Sequence, residues 1–390
     1  MLVLVKWCLK SSYLYGRLTG VINFEFDFKK GQSVATNRTT ICSAFSHLLL
    51  FTLLIGHAMT TQSMSMMWKY ANSLHEYVFV VIAVFRLTCV FLALVSRWSQ
   101  RRTFMQIFNS FWSLYQNNPR IIQFCQRGIV SKYFCVTVAE AFQVIVTLTL
   151  MRNRLTFALA LRIWAVLSLT AVINVIIMQY FITIASIRGR YILLNKDLLM
   201  VVAETRSLYP NRSGVFVTRC CSLADRLEEI ATEQADLQKL TEHLSKAYQG
   251  QVVCLAISYY LNMVGSFYLL FSTIKYKGLT DNSSMLVTIC TCAYFVFYYI
   301  DCCLNALNIL YLLDEHDKMV KLLDQRTLFR PGLDDRLEKV FEDFILNLST
   351  NPLKLRFLGL FEIDRISLFA LGNSLLTHSL LLIQYDVENF

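Results

Sequence analysis

The residues with the most capacity for chemistry lie in the last apolar stretch. Between Ile366 and Tyr385 it carries Asn373, Ser374, Thr377, His378, Gln384 and Tyr385, set among Leu375, Leu376, Leu380, Leu382 and Ile383. On a helix turning 100° per residue, Asn373, Thr377 and Gln384 fall within about 40° of one another, and Ser374, His378 and Tyr385 widen that arc. Polar groups inside a membrane span must face protein or water. An arc of amide and hydroxyl groups without fixed charge suits the wall of an aqueous path. Hydrogen bonding between packed helices would satisfy the same groups, and periodicity alone leaves both readings open. One helix cannot enclose a path, whereas several copies around an axis can. His378 by itself reads more readily as a hydrogen-bonded core histidine than as a sensor.

Two charges stand deep inside other apolar runs, Arg86 and Glu140. An unpaired charge there costs at least about 2.5–3.5 kcal/mol, so the expectation is an ion pair between them. No other pattern points to catalysis or to a metal. The 12 cysteines are irregularly spaced, most sit in or beside apolar runs, and Cys220-Cys221 has no histidine at zinc spacing. No cofactor is expected, and no enzyme activity.

The elements that must position these residues follow from composition. Of 390 residues, 55% are hydrophobic and only 16% charged, against about 25% charged in soluble domains. Soluble cores stop growing near about 250–300 residues and split at polar linkers, and no such linker interrupts this chain. Seven stretches are long and apolar enough to span a bilayer: Thr39–Met59, Leu74–Ser96, Ile129–Leu150, Leu159–Arg188, Gln251–Thr273, Ser284–Leu313 and Ile366–Tyr385. The fold class is therefore an all-α, seven-transmembrane helical protein. It divides into segment 1–38, spans one to four (39–188), a loop 189–250, spans five and six (251–313), a loop 314–364, and span seven with a short tail (365–390).

Basic residues set the orientation. Of the 37 Lys and Arg, 28 lie in the N-terminal segment and in the loops after spans two, four and six; 5 lie on the other side and 4 within or at the ends of spans. The positive-inside rule places the N-terminus in the cytosol and the C-terminus outside. That is the reverse of a G-protein-coupled receptor. No recognised nucleic-acid module interrupts the apolar blocks, so the net charge of +10 reflects topology rather than nucleic-acid binding. Sequons begin at Asn37, Asn211, Asn282 and Asn347, and only Asn282 is expected on the lumenal side.

The outer loops are too short for a ligand-binding domain, so any ligand must sit between helices. The inner loops carry helical patterns. Leu223, Leu227, Ile230, Leu237, Leu240 and Leu244 make one apolar face, and Leu337, Val340, Phe341, Phe344, Ile345 and Leu348 another, ended by Asn351-Pro352. These predict a cytosolic helical bundle that joins subunits.

The run Thr377-His378-Ser379-Leu380-Leu381-Leu382-Ile383-Gln384-Tyr385 resembles the C-terminal signature of insect gustatory receptors: Thr-Tyr, five apolar residues, Gln-Phe. Thr377 and Gln384 match. His378 replaces Tyr, Ser379 is polar where an apolar residue is usual, and Tyr385 replaces Phe. Gly359 and Phe361 match the family's Gly and aromatic before the last span, and Tyr13–Asp27 and Ile383–Phe390 resemble a fruit-fly subgroup of bitter-type receptors.

The resemblance implies a tetrameric, ligand-gated, non-selective cation channel in the plasma membrane of a sensory-neuron dendrite, responding to small-molecule tastants. It implies a homo- or hetero-tetramer with related receptors, a cytosolic anchor from helices four to seven, and a pore lined by four seventh helices. Asn373, Thr377, Leu381, Gln384 and Tyr385 would be its pore residues, with Leu381 and Gln384 at the outer constriction. It also implies a pocket among helices two to six. The outer halves of those helices offer Tyr77, Phe85, Arg86, Glu140, Gln143, Trp164, Asn262, Tyr268, Thr291 and Tyr294, whose aromatic and amide groups suit amphipathic molecules. A metabotropic receptor and an accessory subunit are the alternatives. A transporter would show inverted repeats or broken helices, and neither is visible.

Overall fold

A computed structural model describes residues 2–28, 30–58, 73–151, 156–209, 213–275, 285–359 and 361–389. Among them the chain is almost wholly helical. In order come α1 (Leu2–Leu18), a hairpin of β1 (Glu25–Asp27) and β2 (Gln32–Val34), α2 (Asn37–Ala58), α3 (Ser73–Ser99), α4 (Arg101–Asn117), α5 (Ile121–Met151), α6 (Phe157–Ser207) and α7 (Gly214–Lys275). Then follow α8 (Met285–Leu323), a 3-10 turn (Asp324–Leu328), α9 (Asp335–Thr350), a hairpin of β3 (Arg356–Phe357) and β4 (Phe361–Glu362), and α10 (Arg365–Asn389). Seven described helices are long and apolar enough to cross a membrane: α2, α3, α5, α6, α7, α8 and α10. They match the seven expected spans, of which only the end residues Met59 and Ser284 lie outside the described residues, and the chain is a seven-helix, multi-pass membrane protein. The sequons at Asn211 and Asn282 lie outside the described residues.

Local signals set several helix ends. The Thr156 hydroxyl accepts from the Leu159 amide at 3.2 Å to cap α6, and Asp334 accepts from the Arg336 amide at 3.1 Å to cap α9. Pro352 lacks an amide to extend α9. Asp364 caps α10 by accepting the Ser367 amide at 2.6 Å, and hydrogen bonds from Ser367 hold its carboxyl below the usual carboxylate range. The β3–β4 turn needs left-handed backbone at Leu358 and Gly359, with φ of 52° and 68°.

The buried axis of the molecule is α6. In its apolar window 61% of residues are buried, against 11% for α10. It packs on α1, α2, α5, α7 and α8, and α5 and α8 also lie against each other. Close approach is bought by small residues. A Cβ on Gly189 would stand 3.2 Å from the Ile121 carbonyl oxygen and 2.6 Å from Cys125 Sγ. Helix α10 is the outlier, since its extensive contact is with α7.

Helices α6, α7 and α8 run on past their apolar stretches and form, with α9, a polar-surfaced bundle. The apolar face of α7 is buried here at Leu223, Leu227, Ile230, Leu237 and Leu244, and that of α9 at Leu337, Phe341, Phe344 and Leu348. Both faces close within one chain. Arg336 reaches Asp225 at 2.6 Å and Glu228 at 3.3 Å, and Arg226 reaches Glu204 at 3.0 Å. Ahead of α2, the described residues fold as α1 and the β1–β2 hairpin, elements that hydropathy does not resolve. Val5 and Cys8 of α1 pack with Ile121, Ile122 and Cys125 of α5, and the Trp7 and Tyr133 rings meet edge-on at 5.7 Å.

Candidate functional site

Two polar constellations lie within the spans. The first is on α10, where the expected arc splits into two strips and a third strip, outside the arc, is buried. Asn373, Thr377, Leu381, Gln384 and Tyr385 are exposed along one flank. Ser374 and His378 turn sideways to Tyr260 of α7, whose hydroxyl is 2.8 Å from Ser374 Oγ and 2.8 Å from His378 Nδ1. The third strip, Leu375, Ser379 and Asp386, is buried, and Leu375 packs with Met263 and Val264 of α7. At the far end Asp386 is fully buried. It accepts from the Tyr268 hydroxyl at 3.1 Å and from Lys275 Nζ at 3.1 Å. His75 of α3 joins this knot through Ser272 and through Tyr268 at 3.5 Å. The far end of α10 is thus tied to α7 and α3 by a buried charge with several partners.

The second constellation lies among α3, α5, α6, α7 and α8. Arg86 and Glu140 do not pair. The Arg86 guanidinium donates to Thr170 Oγ1 at 2.5 Å, while the Glu140 carboxylate accepts from Asn174 Nδ2 at 2.7 Å and from the Tyr15 hydroxyl at 3.2 Å. Neutral donors therefore satisfy Glu140, where a helix-two cation was expected. The buried ion pair joins Lys132 of α5 to Asp301 of α8 at 2.5 Å, with Tyr259 donating to the same carboxylate at 3.4 Å. The Phe181 ring stands 5.7 Å from Lys132 Nζ. Gln143 donates to Thr170 at 3.2 Å. Glu140, Gln143, Thr170, Asn174, Tyr294, Tyr298 and Asp301 enclose a cavity of about 10 Å³, room for about one water molecule.

Among the ten pocket residues read from the sequence, the structure brings Glu140, Gln143 and Tyr294 together around this cavity. Arg86 stands one hydrogen bond behind it, and the Asn262 amide faces the Tyr294 and Tyr298 hydroxyls. The other five lie elsewhere. Tyr77, Phe85 and Trp164 are exposed on the outside of the bundle, Tyr268 belongs to the Asp386 knot, and the Thr291 hydroxyl returns to Val287 of its own helix at 2.8 Å. Lys132, Asp301, Asn174 and Thr170 are the members that sequence reading missed. The signal for the first two was present, because a Lys and an Asp each inside an apolar run demand partners. Among the described residues no group of three or more His, Cys, Asp or Glu side chains could hold a metal ion.

A helical protein with seven candidate spans and a polar cluster among them defines a class, the multi-pass membrane proteins built on seven helices in this arrangement. The insect olfactory receptor OR5 from Machilis hrabei in complex with eugenol superposes with a TM-score of 0.68 at 11% identity, covering 97% of this chain and 98% of that one. A second structure of that receptor gives a TM-score of 0.65. A family model described as 7tm chemosensory receptor matches residues 9–389. Gustatory receptor 59d of Drosophila melanogaster is 64% identical over 99% of both chains. Gustatory receptor 36b of the same species is 33% identical over 99% of this chain and 100% of its own. The chain belongs to the insect gustatory receptors of the 7tm chemosensory receptor family, which is not a family of enzymes.

Proposed function

We propose that the chain is a subunit of a ligand-gated, non-selective cation channel for bitter-type small molecules. In this reading four copies, identical or of related receptors, surround one axis in the plasma membrane of a sensory-neuron dendrite. The N-terminus and the α6–α9 bundle face the cytosol, and α10 lines the pore with its C-terminal end outside. The observation that carries the reading is the exposed flank of α10. Asn373, Thr377 and Gln384 share a flank that their own chain leaves uncovered, and lipid cannot solvate them. Water along a shared axis can. Leu381 one turn before Gln384 then supplies an apolar ring that closes by dewetting, next to a polar amide ring.

The ligand site in this reading is the cavity between Glu140, Gln143, Thr170, Asn174, Tyr294 and Tyr298, enlarged when helices part. The solved olfactory receptor with eugenol supports a small organic ligand for this fold. A ligand shifts the equilibrium only through a higher affinity for the open state. Whole-cell recording from cells expressing the chain alone or with gustatory relatives tests it, using a panel of bitter compounds and the variants Gln384→Glu and Glu140→Gln. Agonist currents whose cation selectivity changes in Gln384→Glu support the pore. Currents that require added nucleotide or a G protein overturn it in favour of a metabotropic receptor.

A further inference from the structure

A large crevice adjoins both constellations. It has a volume of about 650 Å³ and runs between α6, α7 and α8 on one side and the first half of α10 on the other. Its walls are apolar, with Ile176, Ile184, Leu255 and Ile309 at the back. Ile257 and Leu371 line it and are also exposed, so the crevice opens sideways onto the apolar surface of the bundle. Along α7 the wall extends from Tyr248 to Met263, about 22 Å at 1.5 Å per residue. That is more than the ~15 Å of hydrocarbon in one leaflet. Glu362 stands at the start of α10 and the Tyr260–Ser374 hydrogen bond near mid-helix, and Asn305 and Asn308 of α8 also line the crevice.

We propose that this crevice is a lipid site, filled by one acyl chain of a phospholipid from the leaflet nearer α9. Water gains few partners along walls that are mostly apolar, and a void forfeits the dispersion contacts of its lining. A hydrocarbon chain restores those contacts, and the wall is long enough to take it. Arg365 and Arg356, at the Glu362 end, are each already held by a carboxylate, Asp314 at 2.8 Å and Glu362 at 2.9 Å. The fit therefore lies in the acyl chain rather than in a headgroup. The chain would lie against Leu368 and Leu371 of α10, wedging the start of that helix away from α8 and setting its tilt.

Photolabelling tests this directly. The full-length protein is reconstituted in phosphatidylcholine nanodiscs containing a phosphatidylcholine with a diazirine on one acyl chain, irradiated, and mapped by mass spectrometry. Label should concentrate on residues 252–263, 302–309 and 367–374, above the lipid-facing surface of α3 around Phe79–Phe91. Two independent fillings, Ala306→Trp within the crevice and Ala256→Trp at its exposed rim, should each abolish the excess while leaving the α3 label unchanged. Label spread evenly over both surfaces, or crevice label indifferent to a filling substitution that keeps the protein helical and monodisperse, overturns the proposal. Cross-links from these residues to a second copy of the chain also overturn it, because a neighbouring subunit would then be the occupant.

Discussion

The buried Lys132–Asp301 pair shows what a charge inside the bundle depends on. Both side chains are withdrawn from solvent, at 0% and 5% exposure, so each relies on the other. Lys132→Met leaves Asp301 buried and uncompensated, which should destabilise by about 3–5 kcal/mol. The double variant Lys132→Met with Asp301→Leu should recover most of that loss, since replacing a buried pair by apolar residues is close to neutral. Thermal unfolding in detergent followed by tryptophan fluorescence reads both. A double variant no more stable than Lys132→Met would show that the ammonium has a different partner. Glu140 differs because amide and phenol donors hold it. Glu140→Gln should leave stability nearly unchanged, and any effect on agonist response would then report on ligand binding rather than on folding.

Among the elements, α6 and α10 stand at opposite extremes. The α5–α6 contact has backbone against backbone at Gly189, so Gly189→Leu must push Ile121 and Cys125 apart, costing about 1–3 kcal/mol or more. A Cβ on Gly265 would crowd only Ile82 Cδ1, the far end of a flexible side chain, with Ile82 Cγ1 and Val78 Cγ1 at an ordinary 3.5 Å, so Gly265→Ala should cost clearly less. Unfolding temperatures of the two variants in one detergent decide the order. The Asp386 knot makes a complementary prediction for α10. Lys275→Met removes one donor from a buried carboxylate, so α10 should loosen from α7 and its far end should exchange amide hydrogens faster. Unchanged exchange around Tyr385–Asn389 would mean that Lys275 is not needed to hold it.

For the whole molecule the question is what covers the open flank of α10. If four copies share an axis, Thr377→Cys residues of neighbouring chains should join on mild oxidation and give covalent dimers on denaturing gels. Ser379→Cys, buried against α7, should give none. Dimers from the second variant and not the first would place the axis on the opposite side of the helix. The cytosolic placement proposed for α9 predicts that Asn347 carries no glycan when the protein is expressed in eukaryotic cells, and a mobility shift on glycosidase treatment that Asn347→Gln abolishes would reverse the orientation.

Seven apolar runs, the polar arc of the last one and the leucine faces of α7 and α9 were legible in the residues alone, because hydropathy and helical period are local properties of the chain. The rotation of each helix was not. Tyr77, Phe85 and Trp164 turn outward while Glu140, Gln143 and Tyr294 turn together, and that depends on which neighbours each helix packs against. The partner of each buried charge was hidden for the same reason. Arg86, Lys132, Glu140 and Asp301 all announce a need for partners, yet distances between helices decide that Lys132 takes Asp301 while Glu140 takes Asn174 and Tyr15. Only the tertiary structure divides the α10 arc into an open flank and one turned to Tyr260, because contact with a single helix can cover only one side of another.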